Sequence, residues 1–333
     1  MDFRQTYCFD DLLLVPKYSD IKSRSEVNLS SNLSTDINLG LPVMSSPMDT
    51  VTESSMAIAM QAFGGLGIIH RYNTIDEQIT LVRDARMKGA DHVGAAIGVT
   101  GDHEERACML YDAGARIICL DIAHGHHAMM KSAIKKLKEV FGDDIHIMAG
   151  NIASLEAFDD LSKWGADSIR STRIVTGHGV PTLQSVLDCS RSVYDTKIIA
   201  DGGIKTTGDV VKAIAAGADF VIVGSMLAGT NETPGAVLTN VSGGKYKEYR
   251  GMASKKAQYN WRGKSSTPEG IATTVPYKGS VKHTLLDIAG GLRSGLSYSG
   301  SRTIAEFQAK ADFIIQSNAS QLESNTHIFW RNK

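Results

Sequence analysis

Gly217-Ala218-Asp219-Phe220-Val221-Ile222-Val223-Gly224 holds the unit that decides the fold. A glycine able to end a helix in the left-handed conformation opens it, and a short apolar run follows. The same step recurs at Gly89-Ala90-Asp91, Gly114-Ala115-Arg116 and Gly165-Ala166-Asp167. Working outward from these, eight β-rich runs stand out, at 41–44, 66–70, 93–98, 116–121, 145–150, 167–170, 197–201 and 220–224. Stretches with helical periodicity lie between them, among them 76–88, 103–113, 128–140, 154–164 and 207–216. The runs are almost continuously apolar, as parallel strands covered on both faces are. Eight strand–helix units predict an α/β protein, a (β/α)8 TIM barrel, spanning 1–333 as one domain.

Two regions lie outside the repeat. Residues 1–40 form a leader rich in Ser and Asn, and about 230–276 is polar and Gly/Ser/Lys-rich without a strong period. A segment that long inside a compact domain reads as a flap or lid, with 283–293 as the closing helix. Over 333 residues, 35 Lys+Arg balance 36 Asp+Glu for a net charge of −1, which argues against a nucleic-acid binder working by phosphate neutralisation. Apolar residues make up 42% and charged ones 21%, the balance of a folded globular chain. No segment has the apolar length of a membrane span, and the N-terminus carries no secretory pattern. Cys8, Cys108, Cys119 and Cys189 are scattered without metal-type pairing, so a cytoplasmic location is expected.

In such barrels the active site lies at the carboxyl ends of the strands. Those ends carry Ser45-Ser46-Pro47-Met48-Asp49, His70-Arg71, Asp121 with His124, His126 and His127, Gly150-Asn151, Asp201-Gly202-Gly203 and Gly224-Ser225. Glycines after strands seven and eight let backbone N–H groups reach a phosphate, and Asp201 is placed to accept from a ribose diol. An Asp-Gly-Gly alone also fits a tight strand-to-helix turn; the two glycine pairs at consecutive tips favour a phosphorylated ligand. The three histidines sit on a loop and a helix start, without the converging, helix-borne spacing a zinc site needs, so a polar loop touching substrate or cofactor is preferred to a metal. Cys119 falls inside a strand and Cys108 and Cys189 inside helical stretches, so packing is expected of all three. No soft nucleophile stands at a strand end.

With these residues in view, the chain resembles the IMP dehydrogenase/GMP reductase family. The resemblance runs nearly end to end, through Phe9-Asp10-Asp11, Ser23-Arg24-Ser25, Ser46-Pro47-Met48-Asp49-Thr50-Val51, Asp121-Ile122-Ala123-His124-Gly125-His126 and Ala149-Gly150-Asn151. It continues through Thr172-Arg173, Thr176-Gly177, Ala200-Asp201-Gly202-Gly203-Ile204, Gly224-Ser225-Met226, Tyr249-Arg250-Gly251-Met252, Pro268-Glu269-Gly270 and Gly291-Leu292-Arg293-Ser294. It implies a purine nucleoside monophosphate with its phosphate on Gly203, Gly224 and Ser225 and its ribose on Asp201. Ser46, Met48, Tyr249, Gly251 and Met252 would complete the substrate site, with Met252 and Glu269 at the base. Asp121, Asn151 and Arg170 would face a nicotinamide cofactor, and Thr172 and Glu269 would be catalytic. A homotetramer and a monovalent cation are further family implications.

The family's Gly-x-Gly-x-Gly-Ser-x-Cys loop, whose glycines and serine the resemblance places on the phosphate, is absent: Asp167-Ser168-Ile169-Arg170 runs straight into Ser171-Thr172-Arg173. The family's cysteine forms a covalent intermediate at C2 of the purine, which splits one hard step into two. Because every flanking motif is intact, an omitted segment is expected at this junction rather than drift; an intact mass of 35.8 kDa would refute that. Between Met252 and Glu269 no Arg-Tyr step of the dehydrogenase kind occurs, and 121–125 is closer to the reductases, whereas 47–53 and 64–70 are closer to the dehydrogenases. The resulting expectation is GMP reductase, turning GMP into IMP and ammonia with NADPH. The alternatives are an NAD-dependent IMP dehydrogenase forming XMP, or a nucleotide-binding homologue without turnover.

Overall fold

The computed structural model describes residues 3–171, 177–252, 254–263 and 271–324. Eight parallel strands close a barrel: β1 (Val43–Ser45), β2 (Leu66–Ile69), β3 (Val93–Ile97), β4 (Ile117–Asp121), β5 (His146–Ile152), β6 (Ser168–Ser171), β7 (Lys197–Asp201) and β8 (Phe220–Val223). Closure is made where β8 returns to β1, with Val221 opposite Val43 and Val223 opposite Ser45. Around it lie α1 (Ser54–Ala62), α2 (Ile75–Met87), α3 (His103–Asp112), α4 (Ala128–Phe141), α5 (Leu155–Trp164), α6 (Thr182–Cys189), α7 (Thr207–Ala215) and α8 (Val281–Tyr298). The (β/α)8 expectation is met, and the closing helix is longer at both ends than 283–293.

The repeated Gly-Ala-Asp step has a physical reason. Gly217 has φ +113°, and a Cβ there would fall 2.6 Å from Ser190 Cβ, so both conformation and space demand glycine. The alanine is buried, and the aspartate reaches back to the start of the preceding strand. Asp167 accepts from Ile147 N at 2.7 Å and Asp219 from Ile198 N at 2.9 Å, which stitches the lower rim.

Apolar side chains fill two spaces. One lies between sheet and helices; the other is the barrel interior, with Met44, Leu66, Ile68, Cys119, Met148, Ile199 and Phe220. Leu33, Ile37 and Leu39 plug the interior from the leader, carried on a hairpin of Ser31–Asn32 and Asn38–Leu39. A second leader strand, Leu12–Leu14, pairs antiparallel with Phe313–Ile315. The region expected as a structureless flap has regular structure: Leu238–Thr239, Lys245–Arg250 and Ala272–Pro276 form an antiparallel sheet, with a helix at Lys255–Arg262. Among the described residues, no helix is long and apolar enough to cross a membrane.

Candidate active site

The loop after β1 is folded back at the barrel mouth by Thr52, whose hydroxyl donates to Ser46 O at 2.7 Å and lies 2.8 Å from Ser45 Oγ. Ser46 N in turn donates to Val223 O at 3.1 Å, which brings this loop beside the tip of β8. Gly224 sits at their meeting point. A Cβ there would lie 3.2 Å from Met48 Sδ, 3.3 Å from the Tyr249 hydroxyl and 3.4 Å from Ser46 Cβ. Leu227 N and Ala228 N both donate to Gly224 O, so the chain leaves β8 in a helical turn, a geometry whose first N–H groups have no partner within the turn. At the tip of β7, Gly202 and Gly203 have φ of +90° and +76°, conformations open to glycine. The structure therefore brings Ser46, Met48, Gly224 and Tyr249 to one place, with Asp201 and Gly203 on the adjacent strand end.

Arg170 crosses the mouth. Its side chain is 1% exposed; it donates to Asp121 and stands 3.6 Å from Asp201 Oδ2. Gly150 makes this possible, because a Cβ there would come within 2.8 Å of Arg170 Cβ and 3.2 Å of its Nε. Arg71, directly after β2, lies 3.6 Å from the other Asp121 oxygen. Burial works to raise the Asp121 carboxyl, but Arg170 and Arg71 outweigh it and hold it below the ordinary range. At Asp201 burial wins: the carboxyl is pushed up to about 6, with Arg170 pulling it down and Asp121 adding to the rise. Burial opposes the Arg170 charge, yet the Asp121 and Asp201 carboxylates outweigh it and keep the guanidinium protonated. Burial also raises Tyr249, and Asp201 adds to it.

Three buried polar atoms beside this pair have no hydrogen-bond partner in the structure: Asn151 Oδ1, Arg71 Nε and Arg170 Nε. Such atoms are costly unless a ligand or water satisfies them. Nearby, Arg71, Val99, Arg106, His124, His127 and Trp261 help line a cavity of about 420 Å³. Trp261 belongs to the flap helix and stacks on Tyr72 with ring centroids 5.7 Å apart. The flap is latched to the loop after β1 as well. Arg250 holds the Asp49 carboxylate through Nε at 3.0 and 3.2 Å and Nη2 at 2.6 Å, and Met252 Sδ lies 3.2 Å from Asp49 N.

Thr172 and Glu269, the two catalytic candidates, lie outside the described residues, as do Thr176 and Pro268-Glu269-Gly270. Asp121, Asn151 and Arg170 do come together on one side of the mouth. The three histidines do not converge: His126 bonds Asp160 at 3.0 Å, while His127 caps α4 by accepting from Met129 N. Cys119 and Cys189 are buried as expected, and burial pushes both thiols up to about 12. Cys108 corrects the packing expectation: α3 buries Arg106, Ala107 and Leu110, and this turns Cys108 outward. The junction where an omitted segment is expected follows β6, which pairs through Ser171 with β5 and β7; residues 172–176 beyond it lie outside the described residues. Sequence reasoning assigned no role to Arg71, Tyr72, Trp261 or Lys247; Arg71 at a strand tip and the alternation Lys247–Tyr249 were the available signals.

A closed (β/α)8 barrel with glycine turns at β7 and β8 and a charged cluster at its mouth defines an α/β barrel protein with a ligand site at the strand tips. The particular family follows from comparison. The IMP dehydrogenase / GMP reductase domain model matches residues 6–327, and the chain belongs to that family, whose members are oxidoreductases that use a nicotinamide cofactor. Similar curated proteins include an inosine-5'-monophosphate dehydrogenase of Nitrosopumilus maritimus, 35% identical over 98% of this chain and 99% of the relative. A GMP reductase of Leishmania major is 34% identical over 96% of each chain. A solved structure, a cysteine-to-alanine variant of GMP reductase from Trypanosoma brucei in complex with guanosine 5'-monophosphate, has a TM-score of 0.90 and 30% identity, covering 98% of both chains.

Proposed function

We propose that this chain binds a purine nucleoside 5'-monophosphate at the barrel mouth and acts as a GMP reductase with NADPH. The observation that carries the reading is the meeting of Ser46, Met48 and the Tyr249 hydroxyl around the Cβ-free space of Gly224, one strand from Asp201. In this reading the phosphate takes the N–H groups of the turns after β7 and β8 together with Tyr249, and Asp201 accepts from the ribose diol. Homology to reductases that include a GMP complex supports the nucleotide. The lack of an Arg-Tyr step between Met252 and Glu269 favours the reductase over the dehydrogenase.

The residues fit a nicotinamide group. Asn151 Oδ1 is an orphaned acceptor and Arg170 Nε an orphaned donor, and a carboxamide offers one partner to each. When bound, NADPH would supply a hydride to C2 of the purine. Asp121 holds Arg170 and Arg71 in place, and Trp261 with Tyr72 bounds the cofactor side. Family resemblance gives Thr172 and Glu269 a proton relay to the departing ammonia. The homotetramer, monovalent cation and cytoplasmic location are carried on the same resemblance.

One observation favours a second reading, nucleotide binding without turnover. β6 ends at Ser171 with no thiol, and Cys119 and Cys189 are buried with their thiols pushed up to about 12. Nicotinamide absorbance with GMP plus NADPH, and separately IMP plus NAD, tests both, alongside GMP titration by calorimetry. Turnover in the first assay is expected; turnover only in the second would reverse the assignment to dehydrogenase. Saturable binding with neither turnover would establish the second reading.

A further inference from the structure

The flap strand Lys245–Arg250 buries a lysine that no step above uses. Lys247 is 2% exposed, and its ammonium donates to Thr230 O at 3.1 Å and Thr233 O at 2.5 Å. A charge so buried is tolerated only where its donors are satisfied, so this geometry is specific. The carbonyls belong to the turn that leaves the Gly224–Gly229 segment. Thr230 pairs with Gly279, and the Thr230 hydroxyl donates to Leu227 O at 2.9 Å. In the same turn Glu232 accepts from Val281 N at 2.8 Å and so fixes the start of α8.

Residues two apart on a strand share a face, and a slip of one position turns that face over. Lys247 and Tyr249 are two apart. The bonds to Thr230 and Thr233 therefore set the register that delivers the Tyr249 hydroxyl to Gly224. At the other end of the strand, the Asp49–Arg250 pair and the Thr50 hydroxyl, 3.2 Å from Arg250 N, fix the exit. Tyr249 is held between a lysine behind it and an arginine ahead of it.

We propose that Lys247 is a positioning residue for phosphate recognition: by anchoring the flap strand to the turn after β8, it places Tyr249 over the phosphate end of the nucleotide site. This rests on the nucleotide-site reading above and goes beyond it, because it assigns the grip on the phosphate to the docked state of the flap. Lys247 touches no ligand itself. Its loss should weaken GMP more than guanosine, which has no phosphate for Tyr249 to meet.

The test is calorimetric titration of the full chain with GMP and with guanosine, comparing wild type, Lys247→Met, Lys247→Arg, Tyr249→Phe and the double variant K247M/Y249F. Wild type should prefer GMP to guanosine. K247M should lose about tenfold in GMP affinity, the scale of one charge-assisted hydrogen bond, with guanosine changed less than about twofold. K247R, which can still donate to both carbonyls, should recover most of the loss, and K247M should add little in the Y249F background. Should K247M fail to fold, Lys247→Gln, which keeps an N–H donor group without the charge, replaces it with an intermediate loss expected. Equal losses for GMP and guanosine, or additive effects in the double variant, would overturn the positioning role while leaving the nucleotide site standing. A wild type that binds neither ligand would overturn the site reading and this inference with it.

Discussion

Asp201→Asn is the perturbation that separates what the site costs from what it does. Burial lifts the Asp201 carboxyl from an ordinary 3.8 to about 6, against the pull of Arg170. At about 1.36 kcal/mol per pKa unit, holding it ionised in the folded chain costs on the order of 3 kcal/mol. The sign follows from proton binding. Between about pH 4 and 6 the native state holds a proton that the unfolded chain has released, so the Asp201 contribution to stability falls as pH rises and is fully lost above about pH 6. Asparagine has no proton to lose. D201N should therefore melt several degrees above wild type at pH 7.5, with the gap closing on acidification and nearly gone by about pH 4. Binding should move the other way. In wild type, guanosine affinity should rise about tenfold between pH 5 and 7.5 as the carboxylate that accepts the ribose hydroxyls ionises, whereas D201N should be weak and flat. Guanosine is used because the phosphate of GMP titrates near pH 6 itself. Thermal unfolding and calorimetry at three pH values suffice. A variant less stable than wild type at pH 7.5, or a wild-type affinity indifferent to pH, would refute the account of Asp201.

Other substitutions test neighbouring parts of the argument. Arg170→Met leaves Asp121 and Asp201 facing each other without their shared cation and should cost about 3–5 kcal/mol, most of it above pH 6, as read by urea unfolding. Gly67→Ala places a Cβ 2.4 Å from Ala57 Cα, where α1 lies directly on β2, and should cost about 1–3 kcal/mol or more in thermal unfolding with no specific effect on binding. Trp261→Ala removes the stack on Tyr72 and should raise the apparent KM for the nicotinamide cofactor while leaving GMP affinity within about twofold; equal losses for both ligands would contradict its assignment to the cofactor side.

What could be read from the sequence was what burial writes into it. The barrel strands are covered on both faces, so Phe220-Val221-Ile222-Val223 is continuously apolar, and helices such as α5 end at a glycine that only a left-handed cap requires. The flap strands had no such signal. Leu238–Thr239 is exposed, and along Ala272–Pro276 only Val275 is partly covered, so these two outer strands are held mainly by backbone pairing to Lys245–Arg250 and no period appears. The leader hairpin escaped for another reason: its strands are two residues each, and Leu33, Ile37 and Leu39 matter only because they close the barrel from below. At the site, tip residues such as Asp121 and Gly224 were legible from the strand-end rule, since fold topology alone sends them to the mouth. The Arg170 bridge from Asp121 to Asp201 was not, because it joins the tips of β4, β6 and β7 across the barrel and depends on Gly150 leaving room.

In the function proposed above, most of the grip and the covalent chemistry fall on different strands. The proposed nucleotide site draws on the tips of β1, β7 and β8 and on the flap strand, with the β1 loop and the flap strand held by bonds of their own. The family's thiol would stand at the tip of β6, where this chain carries Ser171 bonded through its hydroxyl to Ser185 of α6. Ser171 pairs with Ile152 on one side and Ala200 on the other, so β6 completes the barrel without the loop. In this reading the contacts from β1, β7, β8 and the flap do not depend on the loop, whereas by family resemblance its glycines and serine would add to the phosphate grip and its cysteine would serve turnover. Binding and turnover can be read separately in the same sample: GMP held with no nicotinamide oxidation would locate the deficit at the thiol absent from the tip of β6, whereas failure to hold GMP at all would locate it in the phosphate grip.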